Sequence, residues 1–145
     1  MTGTKDGKKP RTLVLVVDDF ADARDMYRMY LEYSGFRVAE AANGYEALER
    51  AFELSPDIIL MDLSMPDMDG WEASRHLKND ERTRRIPIVA LTGHALAGES
   101  EGAKKAGCDG FLAKPCLPES LVAEIEKLLG PGRPGTRPRK RKTRS

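Results

Sequence analysis

The run Leu13-Val-Leu-Val-Val-Asp-Asp19 decides the fold. Its five consecutive aliphatic residues leave no polar face, so a strand built from them must be covered on both sides, as in the middle of a parallel sheet. Two aspartates then end it. The same solid apolar character returns in Asp57-Ile-Ile-Leu-Met61 and Ile88-Val-Ala-Leu91. Phe36-Arg-Val-Ala-Glu40 alternates instead, as a half-covered strand does, and Gly110-Phe-Leu-Ala113 is the shortest run.

Helical patterns separate these runs. Asp22 to Tyr33 carries Ala23, Met26, Tyr27, Tyr30 and Leu31 at three- and four-residue spacing, with Gly35 as its stop. Tyr45 to Leu54 lies between Asn43-Gly44 and Pro56, and Trp71 to Lys78 follows the third apolar run. Ala95 to Ala106 is the weakest helix, mostly alanine with Gly98 and Gly102. Pro118 to Leu129 presents Leu121, Val122, Ile125, Leu128 and Leu129 and stops at Gly130-Pro131. Strand and helix alternating five times predict a doubly wound α/β fold on a five-stranded parallel sheet with five flanking helices. Sites in such sheets lie at the carboxyl ends of the strands.

The 145 residues suit one domain, and the formal net charge of +1 hides a segregation. Thr12 to Leu129 has 13 basic and 22 acidic residues. Gly130 to Ser145 has seven basic residues and no acidic one, and the first eleven residues have four basic against Asp6. Three segments follow: a basic, disordered N-terminus (1–11), a folded acidic body (12–129) and a basic, disordered tail (130–145) with no aliphatic or aromatic side chain. No run of 18 apolar residues exists to span a membrane, and Asp18-Asp19 interrupts the first apolar run too early for a secretory signal. Cys108 and Cys116 have no Cys/His set around them, so they read as reduced thiols of a cytoplasmic protein.

On a parallel sheet, the ends of strands one, three, four and five bring Asp18, Asp19, Asp62, Thr92 and Lys114 to one edge. Three crowded carboxylates repel one another and call for a cation. Hard oxygen donors with room for water suit Mg²⁺. A carboxylate can also act as nucleophile and form an aspartyl phosphate, a transfer that needs mainly positioning and charge neutralisation. Taken singly, Asp18-Asp19 reads as a solvated turn or helix cap, Asp62 as a loop acid and Thr92 as the end of a strand.

The motifs Val16-Val-Asp-Asp-Phe20, Met61-Asp-Leu-Ser-Met-Pro-Asp-Met-Asp-Gly70, Ala90-Leu-Thr-Gly93 and Gly107-Cys-Asp-Gly-Phe-Leu-Ala-Lys-Pro115 resemble, in order and spacing, those of the receiver domains of two-component response regulators of the stand-alone, CheY-like type. The resemblance covers about residues 12–129 and implies a flavodoxin-like sheet of order 2-1-3-4-5. It implies Asp62 as phosphoacceptor. Asp19 would be the main acidic Mg²⁺ ligand, with Asp18 assisting and Ser64 supplying a backbone carbonyl. Thr92 and Lys114 would meet the phosphoryl oxygens, Pro115 falls where the family often has a cis bond, and Phe111 matches an aromatic switch position. Phe111 reads equally as core filler. His94 and Ser64 are expected to tune the lifetime of the phosphorylated state, although His94 also fits a plain loop residue.

The implied partners are a sensor histidine kinase or histidine phosphotransfer protein and a downstream protein target. That target would be met by the face formed from Ala95–Ala106, the fifth strand and the last helix. Such a receiver is a signalling module and not an enzyme; it only promotes its own phosphorylation and slow autodephosphorylation. An alternative is a Mg²⁺-dependent phosphatase with an aspartyl nucleophile. Those enzymes usually carry a second aspartate two residues after the first, where this chain has Ser64. A third reading is a nucleic-acid-associated regulator. The tail's Arg133, Arg137, Arg139, Lys140, Arg141, Lys142 and Arg144 suit non-specific phosphate contacts, or equally an acidic partner.

Overall fold

A computed structural model describes residues 11–63, 70–92, 107–114 and 116–130. Five strands, β1 (Leu13–Val17), β2 (Arg37–Ala41), β3 (Ile58–Asp62), β4 (Ile88–Thr92) and β5 (Gly110–Ala113), form one sheet in the order β2-β1-β3-β4-β5. Every neighbouring pair is parallel. Four helices lie among the described residues: α1 (Ala21–Tyr33), α2 (Gly44–Leu54), α3 (Gly70–Lys78) and α4 (Pro118–Leu129). The helix expected over Ala95–Ala106 falls outside the described residues, as do residues 1–10 and 131–145 of the segments expected to be disordered, and Ser64, His94 and Pro115.

The two-residue period of the strands divides the core into two layers. Leu15, Val17, Ile59, Met61 and Ile88 face Ala47 and Ala51 of α2 and Ala73 and Leu77 of α3. Val14, Val16, Ile58, Leu60, Val89 and Leu91 face Tyr27 and Leu31 of α1 and Leu121 and Ile125 of α4. The central strands are therefore buried on both sides, which is why their sequences show no polar face. At about 1.5–3 kcal/mol for each fully buried large aliphatic side chain, this double layer is the main favourable term in folding.

Helix ends are set by local chemistry. The C-terminus of α1 is a Schellman turn: Gly35 N–H donates to Glu32 O and Phe36 N–H to Leu31 O, both at 3.0 Å. Gly35 takes φ +101°, and the buried Phe36 joins Leu31 in the same core layer. That turn starts β2 at Arg37, one residue later than the alternation in the sequence suggests. Asn43 caps α2 by accepting the Glu46 N–H at 2.9 Å, while the Glu46 carboxylate accepts the Ala42 N–H at 2.8 Å. The crossover after α3 is tied down by Lys78, whose Nζ donates to Arg84 O (3.1 Å) and Ile86 O (2.9 Å) and pairs with Asp109 (2.9 Å).

Candidate functional site

Each candidate residue ends a strand or follows one directly. Asp18 follows β1 and continues its pairing, its N–H donating to Ala41 O at 3.1 Å. Asp62 is the last residue of β3 and lies opposite Leu91 of β4. Thr92 closes β4, and Lys114 follows β5, its N–H donating to Thr92 O at 2.6 Å. Parallel pairing carries all four to the carboxyl edge of the sheet, and Asp19 comes with its neighbour.

Carboxylate oxygens of Asp18, Asp19 and Asp62 lie within 4.8 Å of one another. Asp18 and Asp62 are buried, whereas Asp19 is exposed. Lys114 Nζ stands 3.2 Å from Asp18 Oδ2 and 3.7 Å from Asp62 Oδ2. Its burial works against the ammonium charge, but Asp62, Asp18 and Asp19 more than offset this and raise its pKa. Thr92 is fully buried. Tyr27 lies beneath the site in the α1 layer. Burial, then Cys116, Asp18 and Asp62, push its phenol well above the ordinary range, so it stays neutral.

Phe111 lies opposite Ala90 and packs with Trp71 and Cys108 against Leu63 and Ala90, one residue beyond Asp62. Gly70, the first residue of α3 and one position before the helix start that the sequence pattern suggests, has a steric reason to lack a side chain. A Cβ there would stand 2.2 Å from Asp62 O and 2.8 Å from Leu63 Cα. The helix is seated directly on the backbone that carries Asp62.

Part of the site has no signature in the sequence. Asp18 Oδ1 accepts the Phe20 N–H at 3.0 Å, and the Asp18 carbonyl accepts Arg24 Nη1 at 2.8 Å. Arg24 and Arg28 are both held by Glu40 of β2, at 3.1 and 2.9 Å. The loop carrying Asp18 and Asp19 is thus braced from the neighbouring strand. Only the β1–β2 pairing brings Glu40 near α1, so no local pattern reveals it.

This order of strands, with an acidic cluster and a lysine at the carboxyl edge, is that of a two-component receiver. The family described as "Response regulator receiver domain" matches residues 14–126, and the chain belongs to it. The chain is 34% identical over 121 residues to the polar-differentiation response regulator DivK of Brucella anthropi, covering 83% of this chain and 98% of that one. It is 35% identical to DivK of Brucella ovis over 117 residues, covering 81% and 95%. Among solved structures, chemotaxis protein CheY4 of Vibrio cholerae superposes with a TM-score of 0.78 at 33% identity, covering 82% of this chain and 99% of that one. The receiver domain of sensor histidine kinase PA1611 from Pseudomonas aeruginosa superposes with a TM-score of 0.77 at 34% identity, covering 81% and 97%. That structure carries a magnesium ion coordinated in its active site cleft. Receiver domains are signalling modules of two-component systems; aspartate phosphorylation and Mg²⁺ binding are typical of the family.

Proposed function

We propose that Asp62 takes a phosphoryl group from a phospho-histidine presented by a sensor histidine kinase or a histidine phosphotransfer protein. A carboxylate oxygen of Asp62 attacks phosphorus, the P–N bond breaks, and the imidazole leaves with a proton in place of the phosphoryl group. The observation that carries this reading is the convergence of Asp18, Asp19 and Asp62 with Lys114 at one sheet edge.

The donor set fits a hard divalent cation: three carboxylates, two of them buried, within reach of one another. Asp19 would be the main acidic ligand, with Asp18 and Asp62 beside it and the Ser64 carbonyl completing the protein's share. Bound there, Mg²⁺ would neutralise charge on the phosphoryl oxygens during transfer. The chain's own part is positional. Arg24 and the Phe20 N–H fix Asp18 from both ends of the residue. Lys114 supplies a permanent positive charge beside the acceptor oxygen. The Thr92 hydroxyl, buried at the end of β4, is the group we assign to the arriving phosphoryl oxygens.

Movement of Thr92 and Phe111 would carry the change to the face around residues 95–106, β5 and α4, where a protein partner reads it. Ser64 and His94 would set the lifetime of the phosphorylated state. Autodephosphorylation unchanged in both Ser64→Ala and His94→Ala removes them from the account. Cys108 and Cys116 are free, in keeping with action in the reducing cytoplasm.

Intact-mass measurement with a small phosphodonor and Mg²⁺ tests the reading. Wild type should gain one phosphoryl group and Asp62→Asn none. Equal uptake by both overturns it.

A further inference from the structure

Glu40 stands on β2, away from the acidic edge, yet its contacts lead back to it. The two-residue period places it with Val38 on the α1 side of the sheet, in register with Val16 of β1. Arg24 and Arg28, four residues apart on α1, share the helix face that meets it. Oε1 accepts from Arg24 Nε at 3.1 Å, and Oε2 pairs with Arg28 Nε at 2.9 Å. Arg28 is held in turn by Asp25 at 3.2 Å and Glu32 at 3.6 Å. Glu40 is thus gripped at both oxygens, and all three side chains are half-buried.

The far end of Arg24 leaves that pair for the acidic loop. Its Nη1 donates to Asp18 O at 2.8 Å while Nε stays on Glu40. A planar guanidinium holds two such acceptors in a fixed relation. The bond falls on the peptide that joins Asp18 to Asp19. Asp19 is exposed, and among the described residues no hydrogen bond holds its carboxylate. Helix α1 also lacks the side-chain cap that commonly fastens such a loop, because its N-cap is Phe20. The side-chain fastening of the Asp18–Asp19 peptide therefore runs through Arg24 to Glu40 on another strand.

By charge alone Arg24 is out of place. A guanidinium beside a site suited to Mg²⁺ opposes the binding of a second cation. Glu40 offsets that charge, and the use of the guanidinium lies in its geometry. We propose that Glu40, acting through Arg24, is a positioning residue that sets the affinity of the acidic edge for Mg²⁺. The inference rests on the reading of Asp18, Asp19 and Asp62 as the metal's carboxylate ligands.

Calorimetric titration of the full chain with Mg²⁺ tests this. Replacing groups that orient a metal's ligands typically costs roughly 10–100-fold in affinity. Glu40→Gln and Arg24→Lys should both fall in that range. Lysine keeps the charge but lacks the planar fork that holds Asp18 O and Glu40 together. Arg24→Gln separates positioning from charge by sign: loss of a cation alone would tighten Mg²⁺ binding, whereas loss of the tether weakens it, and weakening is the expected result. Adding Glu40→Gln to Arg24→Gln should weaken binding no further, since the two act in series. The variants' slowed phosphoryl uptake from a small phosphodonor should recover at saturating Mg²⁺, which a damaged fold would not allow. Three results overturn the proposal: Arg24→Gln binding Mg²⁺ as tightly as wild type or more so, additive losses in the double variant, or uptake that excess Mg²⁺ leaves slow. A wild-type chain that takes up no Mg²⁺ overturns the reading of the acidic edge itself, and this proposal with it.

Discussion

Replacing Gly70 by alanine should damage the acceptor site more than a surface substitution in a short helix would suggest. The added Cβ meets three backbone atoms: Asp62 O at 2.2 Å, Leu63 Cα at 2.8 Å and Asp62 C at 2.9 Å. No rotamer change relieves contacts with backbone. Comfortable carbon–oxygen contact begins at about 3.3 Å, so α3 or the end of β3 must retreat by roughly 1 Å. Overpacking of this kind costs about 1–3 kcal/mol. The better helix propensity of alanine returns at most about 1 kcal/mol. With the full return subtracted, the net loss is up to about 2 kcal/mol, which for a domain of this size lowers Tm by as much as roughly 10 °C. Functionally, a retreat of β3 shifts Asp62 against Lys114, which stands 3.7 Å away on a different strand. Thermal unfolding and the rate of phosphoryl uptake from a small phosphodonor, read on the same sample, check both halves. A Gly70→Ala protein that melts and phosphorylates like wild type would refute the claim that α3 is seated on the Asp62 backbone.

Two further outcomes follow from the charges. Lys114→Met removes the cation beside the buried Asp18, so without Mg²⁺ the variant should lose about 1–3 kcal/mol, between the values for exposed and buried pairs. Calorimetric titration should show it binding Mg²⁺ more tightly than wild type, and its Tm deficit should shrink on adding Mg²⁺; a deficit indifferent to Mg²⁺ contradicts this. Alkaline pH should also destabilise the fold. Burial raises the Cys108 thiol, with Asp109 adding and Ser74 and Lys78 opposing; Tyr27 and Lys114 are raised as well. The folded chain then holds protons that the unfolded chain releases, so stability is full below the ordinary thiol pKa of about 8.5 and falls as pH rises above it. A Tm independent of pH from about 8 to 10.5, across the ordinary thiol and lysine values, would show that these shifts are absent.

The sheet was legible because its central strands are buried on both faces. Leu13–Val17 and Gly110–Ala113 are strands as their composition predicts. The second strand begins one residue late because Phe36, apolar and in phase with the alternation, serves the Schellman turn of α1. That turn follows from the φ of Gly35 and not from alternation. The convergence of Asp18, Asp19 and Asp62 could be read from strand ends alone, since parallel order takes every such end to one edge. The unlike burial of Asp18 and Asp19 could not. It depends on Lys114 reaching across from β5 and on Arg24 being held by Glu40. Those contacts join residues far apart in the chain, and only the strand order brings them together. Lys78 reads as one more surface lysine at the end of a helix; its three backbone and carboxylate partners exist only once the α3–β4 crossover has folded beside β5.

Everything proposed for the acidic edge depends on which oxygen receives the phosphoryl group. Borohydride cleaves an acyl phosphate reductively and leaves homoserine in place of the phosphorylated aspartate, which peptide mass mapping can locate. After treatment with a small phosphodonor and Mg²⁺, reduction should place homoserine at position 62 alone. Homoserine at position 18 or 19, or none at 62 in a chain that has gained the phosphoryl mass, would contradict the assignment of Asp62 as the acceptor.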